Sequence, residues 1–390
     1  MTRSIVAVSA SDPLEVMGTL RGALDRSGPA LLPIAAEPPH NDVPLAAHHG
    51  SELHEVPHSA AAVLRTSGST GLPKNVVLSC DALLASASAS ESVLGGPGQW
   101  LLALPAHYIA GLQVLVRSIA AETTPIVLPP GHFDTAAFIE ASKQLTGELR
   151  FTSLVPAQLM RLLETRTGVT ALRRFDGILI GGQALPEPVR ERTQLLGLPV
   201  YRTYGSSETS GGCVYNGQPL PGVEMSIVSG QVELTGPVLS DGYLADDGTL
   251  DHARMEGAFV ERDSRLWYRT GDLATIDDDV LTVLGRADNV IVSGGVNVNL
   301  DRVERIVRGV AGLGDAVVVG AEDDRWGQVP VVVTDVSGAR LDVVQDAVAT
   351  QLGKPARPNR IVTVAALPRL SSGKPDRQAI TRAIAERTMA

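Results

Sequence analysis

From Ala61 onwards, short runs rich in Val, Ile and Leu alternate with longer segments of helical period, and this alternation admits only a small set of folds. Strand-like runs fall at Ala61 to Leu64, Trp100 to Leu104, Pro125 to Leu128, Phe151 to Val155, Gly177 to Ile180 and Val200 to Tyr204. Helix-like segments begin near Asp81, Gly111, Asp134, Pro156 and Pro186, several on the Asp or Pro that a helix start favours. The pattern predicts an α/β sheet with crossover helices. After about Gly222 the texture turns to short strands separated by Gly and Asp turns, at Met225 to Val228, Gln231 to Leu234, Trp267 to Tyr268 and Val280 to Leu284. This reads as a β-rich subdomain. From about Asp288 a smaller unit follows, with helices at Asp301 to Val310, Leu341 to Leu352 and Asp376 to Arg387 and strands at Ala316 to Val319 and Val329 to Thr334. The expected organisation is α/β: a large N-terminal domain, residues 1–287, and a small mobile C-terminal α+β domain, residues 288–390.

A chain of 390 residues, 44% of them hydrophobic, can bury more than one core. Its net charge of -10 argues against a sequence-independent grip on nucleic acid, which needs clustered Lys and Arg. The opening Met1 to Val8 is too short an apolar run for a signal peptide, and no run of about 18 uncharged apolar residues is present to enter a membrane. Cys80 and Cys213, the two cysteines, lie far apart, which suits a reducing compartment, with the cytoplasm as default. Five of the eight histidines fall between His40 and His58, but their spacing fits no zinc pattern and their Pro-rich surroundings read as a loop.

The chemistry is carried by motifs. Thr66, Ser67, Gly68, Ser69, Thr70, Gly71, Leu72, Pro73 and Lys74 follow a predicted strand. Glycines let the backbone approach oxygens, hydroxyls and amides donate to them, and Lys74 adds positive charge, as a phosphate-binding loop requires. The spacing is not that of the Walker loop. Tyr204, Gly205, Ser206, Ser207 and Glu208 stand at the C-terminal end of a strand, where open α/β sheets bind ligands; Glu208 suits a hard cation such as Mg²⁺ and Tyr204 a stacked base. Gly181, Gly182, Gln183 and Ala184 end another strand. Further on come Tyr268-Arg269-Thr270-Gly271-Asp272, then Gly285-Arg286-Ala287-Asp288, the turn Ser293-Gly294-Gly295-Val296-Asn297, and finally Ser371-Ser372-Gly373-Lys374-Pro375.

In this order the motifs resemble the adenylate-forming superfamily of acyl-CoA synthetases, peptide adenylation domains and luciferases, over roughly residues 60 to 390. The resemblance implies ATP, Mg²⁺ and coenzyme A as cofactor and co-substrates. It implies that the Thr66 to Lys74 loop cradles the β,γ-phosphates, with Thr70 and Glu208 near Mg²⁺. Gly182, Gln183 and Tyr204 would frame the adenine, with Gly205 and Ser207 beside them, while Asp272 and Arg286 would bind the ribose. Asp288 matches the hinge, Ser293, Gly294, Gly295 and Asn297 the coenzyme A loop, and Lys374 the lysine that bridges carboxylate and α-phosphate.

Within the superfamily the closer resemblance is to the o-succinylbenzoate-CoA ligase family of menaquinone biosynthesis, of the short actinobacterial type. It rests on Leu104-Pro105-Ala106-His107-Tyr108-Ile109-Ala110-Gly111-Leu112 with Arg117, and on Thr152-Ser153-Leu154-Val155-Pro156-Ala157-Gln158-Leu159. The family pattern makes His107 and Tyr108 a gate to the acyl pocket and sets Ser153 and Gln158 along its wall. The partner is then a small aromatic carboxylic acid. Unaided, His107 reads first as a core histidine and is more than that only if the resemblance holds, and Arg117 either reaches a substrate carboxylate or pairs on the surface. Cys213 has no base beside it in the motif and reads as lining.

Several positions depart from the pattern. The phosphate loop begins early, at Thr66, so part of the usual N-terminal subdomain is expected to be missing or reduced. Asn75 replaces a common Gly, Ser207 a common Thr, and Val296 and Leu300 a common Glu and Pro. Two other readings stay open: another acyl- or aryl-acid ligase or a stand-alone enzyme that loads a carrier protein, and a nucleotide-binding protein without catalysis. A homo-oligomer is compatible with all three.

Overall fold

The computed structural model describes residues 1–35, 55–67, 73–129, 131–245, 247–369 and 375–388. The chain divides into two compact units: Met1–Leu185, Thr193–Ser226 and Glu233–Thr270 form the first, and Pro186–Arg192, Ile227–Val232 and Gly271–Ala390 the second.

The first unit holds two sheets. One has seven strands in the order Gln218–Pro219, Gly211–Tyr215, Val200–Ser206, Gly177–Ile180, Arg150–Leu154, Gln99–Leu102 and Ile126–Val127. From Val200–Ser206 to Ile126–Val127 all neighbours run parallel, joined by crossover helices as expected. These helices carry readable ends. Asp134 caps Thr135–Ser142 through Ala136 N and Ala137 N, and Ser79 caps Cys80–Leu94, which closes on Gly95 in the left-handed region at φ 95°. Helix Ile109–Ala120 requires Gly111, because a Cβ there would stand 2.2 Å from the Pro105 carbonyl oxygen.

The second sheet has six strands in the order Gly242–Leu244, Pro73–Ser79, Ala60–Ser67, Ala30–Ile34, Thr2–Ser9 and Glu55–Pro57. Its N-terminal part, with helix Pro13–Leu24, lies ahead of the region in which the sequence pattern is legible. Arg3 is buried there, where its guanidinium donates to the carbonyls of Ala23 and Ala60.

In the second unit, Val296–Asn299, Val290–Ser293, Gly327–Thr334 and Val317–Asp323 form an antiparallel sheet, with Arg360–Thr363 added in parallel to Gly327–Thr334. Alternation sorts its valines. Val318 and Val332 face helices Leu300–Arg308 and Leu341–Leu352, while Val317, Val319, Val331 and Val333 pack with Ile380 and Ile384 of helix Arg377–Thr388. Each fully buried valine contributes on the order of 1.5–3 kcal/mol relative to exposure. Leu300 belongs to this core at 3% exposure, and Asn299 supplies the helix cap by accepting from Arg302 N. The Leu in place of Pro at the first helical position therefore fills the core without disturbing the helix start.

Candidate active site

In the first unit the functional candidates gather at the C-terminal edge of the parallel strands. Strand Val200–Ser206 ends in the tight turn Ser207–Thr209, and Ser206 N is held by Thr209 Oγ1 at 2.9 Å. A hairpin brings Gly205 against Gly212 and Ser206 against Gly211; a Cβ on Gly205 would lie 2.1 Å from the Gly211 oxygen, so only glycine fits. Glu208 sits in this turn at 7% exposure, and its carbonyl accepts from Ser240 N. Ser207 is buried beside it.

The turn with Gly182 and Gln183 follows the neighbouring strand Gly177–Ile180, tied to Val200–Ser206 by the Thr203 hydroxyl, which donates to the Ile180 carbonyl. Gly182 takes φ 82°, and Tyr204 lies two residues past the Arg202↔Ile180 pair. Gly182, Gln183, Tyr204, Gly205, Ser207 and Glu208 thus share one sheet edge.

The ends of the Thr66 to Lys74 segment are the antiparallel strands Ala60–Ser67 and Pro73–Ser79, which set Thr66 opposite Lys74 and Ser67 opposite Pro73. Gly68, Ser69, Thr70 and Gly71 lie outside the described residues. Lys74 places its ammonium 5.0 Å from the ring centre of Tyr243, whose hydroxyl donates to Glu208 Oε1 at 3.0 Å. Tyr243 is 1% exposed. Burial, and then the Glu208 carboxylate and Tyr268 beside it, push its hydroxyl pKa well above the ordinary value, so it acts as a neutral donor. Tyr243 escapes sequence reading because its partners lie far away in the chain.

Among the described residues no group of three or more His, Cys, Asp or Glu stands ready to cage a metal. The buried carboxylate of Glu208 nevertheless suits Mg²⁺, which takes one or two carboxylates and completes its shell with phosphate oxygens and water. The donor set fits that ion.

On the same sheet, His107 and Tyr108 follow strand Gln99–Leu102, with ring centres 4.1 Å apart. Both His107 nitrogens are buried without a partner, and burial pulls the imidazole pKa down to about 4. Since this folded pKa lies below the unfolded value of 6.5, neutral His107 favours the fold above pH 6.5, and that advantage is lost as pH falls towards 4. Urea unfolding at pH 7 and pH 4.5 is therefore expected to show an acid-induced loss on the order of 2 kcal/mol that His107→Leu removes. An equal acid loss in both proteins would contradict it.

Ser153 is buried in strand Arg150–Leu154. Gln158 is committed to the framework: its Oε1 accepts from Val155 N and its Nε2 donates to the Ala103 carbonyl. Of the two readings of Arg117, the surface ion pair is not what forms. Arg117 is 2% exposed, its Nη2 donates to Ser90 Oγ at 3.1 Å and Tyr215 Oη at 3.4 Å, its guanidinium covers the Trp100 ring, and its Nε has no partner. Cys213 is fully buried and its thiol pKa is pushed up to about 12 by burial, which makes it unreactive.

In the second unit, Asp272 pairs with Arg286 across adjacent strands, with Nη1 3.3 Å from Asp272 Oδ1. Arg286 also forks onto Asp288, Nε to Oδ1 and Nη2 to Oδ2, both at 3.0 Å. The turn Gly294–Gly295, at φ 57° and 80°, joins the hairpin that carries Ser293 and Asn297. Gly294 lies so close to Trp326 that a Cβ would meet the indole at 2.6 Å. Val292, Val296 and Trp326 are all about half exposed around it, at 51%, 47% and 46%. Lys374 lies outside the described residues.

A parallel sheet with a glycine-flanked acidic turn at its C-terminal edge, facing a lysine at the end of a Ser/Gly loop, defines a nucleotide-handling enzyme. The chain belongs to the AMP-binding enzyme family: that family's model matches residues 6–243, and the model of its C-terminal domain matches residues 302–374. The match starts at residue 6, ahead of residue 60, where the motifs begin to carry the resemblance.

More particularly, the chain is 38% identical over 379 residues to the probable 2-succinylbenzoate–CoA ligase of Mycobacterium tuberculosis, covering 95% of each. It is 30% identical over 338 residues to the 2-succinylbenzoate–CoA ligase of Lactococcus lactis, covering 80% of this chain and 69% of that one. Its fold matches o-succinylbenzoate CoA synthetase from Bacillus subtilis in complex with the acyl-adenylate intermediate OSB-AMP at a TM-score of 0.71 and 25% identity, covering 93% of this chain and 80% of that one. The short length is thus shared with the mycobacterial relative. No helix among the described residues is long and apolar enough to cross a membrane.

Proposed function

We infer that the chain is an ATP-dependent acid–CoA ligase that converts o-succinylbenzoate, through its acyl-adenylate, to o-succinylbenzoyl-CoA for menaquinone biosynthesis in the cytoplasm. The observation that carries this reading is the junction of Lys74, Tyr243 and Glu208, which sets a cation over the ring and a carboxylate at the hydroxyl of one tyrosine at the sheet edge. The choice of acid is supported by the relatives named above.

A carboxylate is a poor acyl donor because its leaving group would be oxide; ATP substitutes AMP. In the first half-reaction the acid's carboxylate oxygen attacks the α-phosphorus and pyrophosphate leaves in line, so the protein's task is positioning and charge neutralisation. Thr66 to Lys74 hold the β,γ-phosphates, Glu208 with Thr70 hold Mg²⁺, and Lys374 bridges the carboxylate and the α-phosphate. Bound Mg²⁺ neutralises phosphate charge. Gly182, Gln183 and Tyr204 frame the adenine, with Gly205 and Ser207 shaping that edge, and Asp272 and Arg286 receive the ribose. In the second half-reaction the thiol of coenzyme A attacks the acyl carbonyl and AMP departs. The small domain turns about Asp288 between the two steps and brings Ser293, Gly294, Gly295 and Asn297 to the thiol. Pyrophosphate release across a panel of acids tests the reading, with o-succinylbenzoate expected to lead.

The hinge makes a separate expectation. Arg286 to Asn289 form a tight turn, closed by Asn289 N on the Arg286 carbonyl, with Asp288 third in the turn. Proline there fixes φ near −65°, restricts Ala287 before it and removes the Arg286 partner. Asp288→Pro is expected to lose one half-reaction and keep the other, measured as pyrophosphate release and as thioester formed from supplied acyl-adenylate. Near-normal rates for both would count against the hinge.

A further inference from the structure

We propose that Tyr243 is a positioning residue for magnesium–nucleotide binding: its hydroxyl fixes one oxygen of Glu208, and its ring fixes where Lys74 presents its charge. The proposal rests on the reading of Glu208 as the Mg²⁺ carboxylate.

The placement follows from strand register. Tyr243 pairs with Val76, and Lys74 lies two residues before Val76, on the same face of strand Pro73–Ser79. Lys74 is therefore the diagonal neighbour of Tyr243, within reach of an aromatic ring. The ring meets Phe259 edge-on at 5.9 Å, and Phe259 in turn rests on Tyr268 at 5.2 Å. Gly242 lets the strand come close to Met255, whose sulfur would lie 2.6 Å from a Cβ there. A ring so confined cannot swing to follow its partners, so Lys74 and Glu208 are held relative to it.

The hydroxyl does a second, separable job. A carboxylate has two oxygens, and a cation held by a freely rotating one has to stop that rotation on binding. Tyr243 has stopped it beforehand by donating to Oε1, which leaves Oε2 for the cation. Ser240 N restrains the same residue through its carbonyl. One side chain thus aligns two groups that belong to different sheets of the first unit.

Two substitutions separate the two jobs. Tyr243→Phe keeps the ring under Lys74 and removes the donor; Tyr243→Leu removes both. Calorimetric titration of ATP into the full chain, without acid or coenzyme A and with either Mg²⁺ or EDTA, gives a readout independent of turnover. Tyr243→Phe is expected to keep the wild-type Kd in EDTA and to bind about ten-fold more weakly with Mg²⁺, the usual effect of one hydrogen bond to a charged group. Tyr243→Leu is expected to weaken binding in EDTA as well, by about three-fold, for the lost cation–ring contact. Should the Leu variant fail to fold, the Phe variant decides alone, with its ligand-free Tm as the folding control. Wild-type Mg²⁺ enhancement in Tyr243→Phe overturns the proposal while Glu208→Gln still shows loss of that enhancement. Wild-type enhancement in Glu208→Gln removes the reading of Glu208, and the proposal with it.

Discussion

Lys374→Ala is expected to lower acyl-adenylate formation by about two to three orders of magnitude, the usual effect of deleting one preorganised charge-stabilising group at a transition state. Thioester formation from supplied acyl-adenylate is expected to survive if, as the family resemblance implies, the lysine serves only the step in which negative charge converges on the α-phosphate. The two ends of the segment that carries it are well anchored. Arg369 bridges to Pro375 and pairs with Asp315 at 3.3 Å, and Arg377 donates to the Val318 carbonyl and to Glu304. Asp376 caps the last helix through Ala379 N. Removing the ammonium leaves all of these contacts in place, so the Tm should stay within a degree or two of wild type and the loss should be kinetic. Single-turnover pyrophosphate release and thioester formation, measured separately, check both halves. Equal loss in both would undo the assignment of Lys374 to one step.

What the sequence made legible, and what it hid, follows from the range of the interactions. Strands Gly177–Ile180 and Gln231–Thr235 and helices Pro156–Leu163 and Leu341–Leu352 announce themselves because period and end signals are local, and the α/β class follows from their alternation. Strand Thr2–Ser9 gives no such signal, since only Arg3 and Val8 along it are buried and one of them is charged. The surface reading of Arg117 fails for a related reason, and Gln113 shares its setting. One helical turn apart, they face inward and meet the carbonyl of Ser210 and the hydroxyls of Ser90 and Tyr215, whereas periodicity assigns polar side chains to solvent. Tyr243 is the clearest case: nothing in Asp241-Gly242-Tyr243-Leu244 tells that its hydroxyl meets a carboxylate 35 residues away in sequence. The motif residues were legible as motifs; the groups that hold them were not.

The acid itself makes the second large expectation. o-Succinylbenzoate carries a carboxylate on its ring besides the one that is activated, and 4-phenyl-4-oxobutyrate lacks only that group. A buried carboxylate is tolerated only where donors meet it, and a site built around such donors rejects the analogue that leaves them unpaired. The structure narrows the candidate donors. Gln158 spends its amide on Val155 and Ala103, while His107 has both nitrogens buried and unpartnered and Arg117 retains an unpartnered Nε. Ser153 adds a buried hydroxyl-bearing residue on the parallel sheet. A neutral imidazole donates only one proton, so His107 by itself would give weaker discrimination than a charged guanidinium. With ATP, Mg²⁺ and coenzyme A present, kcat/KM is expected to fall at least about 100-fold from o-succinylbenzoate to 4-phenyl-4-oxobutyrate, and further for benzoate and long-chain fatty acids. In Arg117→Met the gap between the first two acids should shrink towards ten-fold if the guanidinium reads the ring carboxylate, and in His107→Leu if the imidazole does. Pyrophosphate release across these acids for the three proteins decides the matter. Equal turnover of 4-phenyl-4-oxobutyrate by the unaltered chain would remove the argument for an anion-reading pocket, and preference for a fatty acid would assign the chain to another branch of acid–CoA ligases.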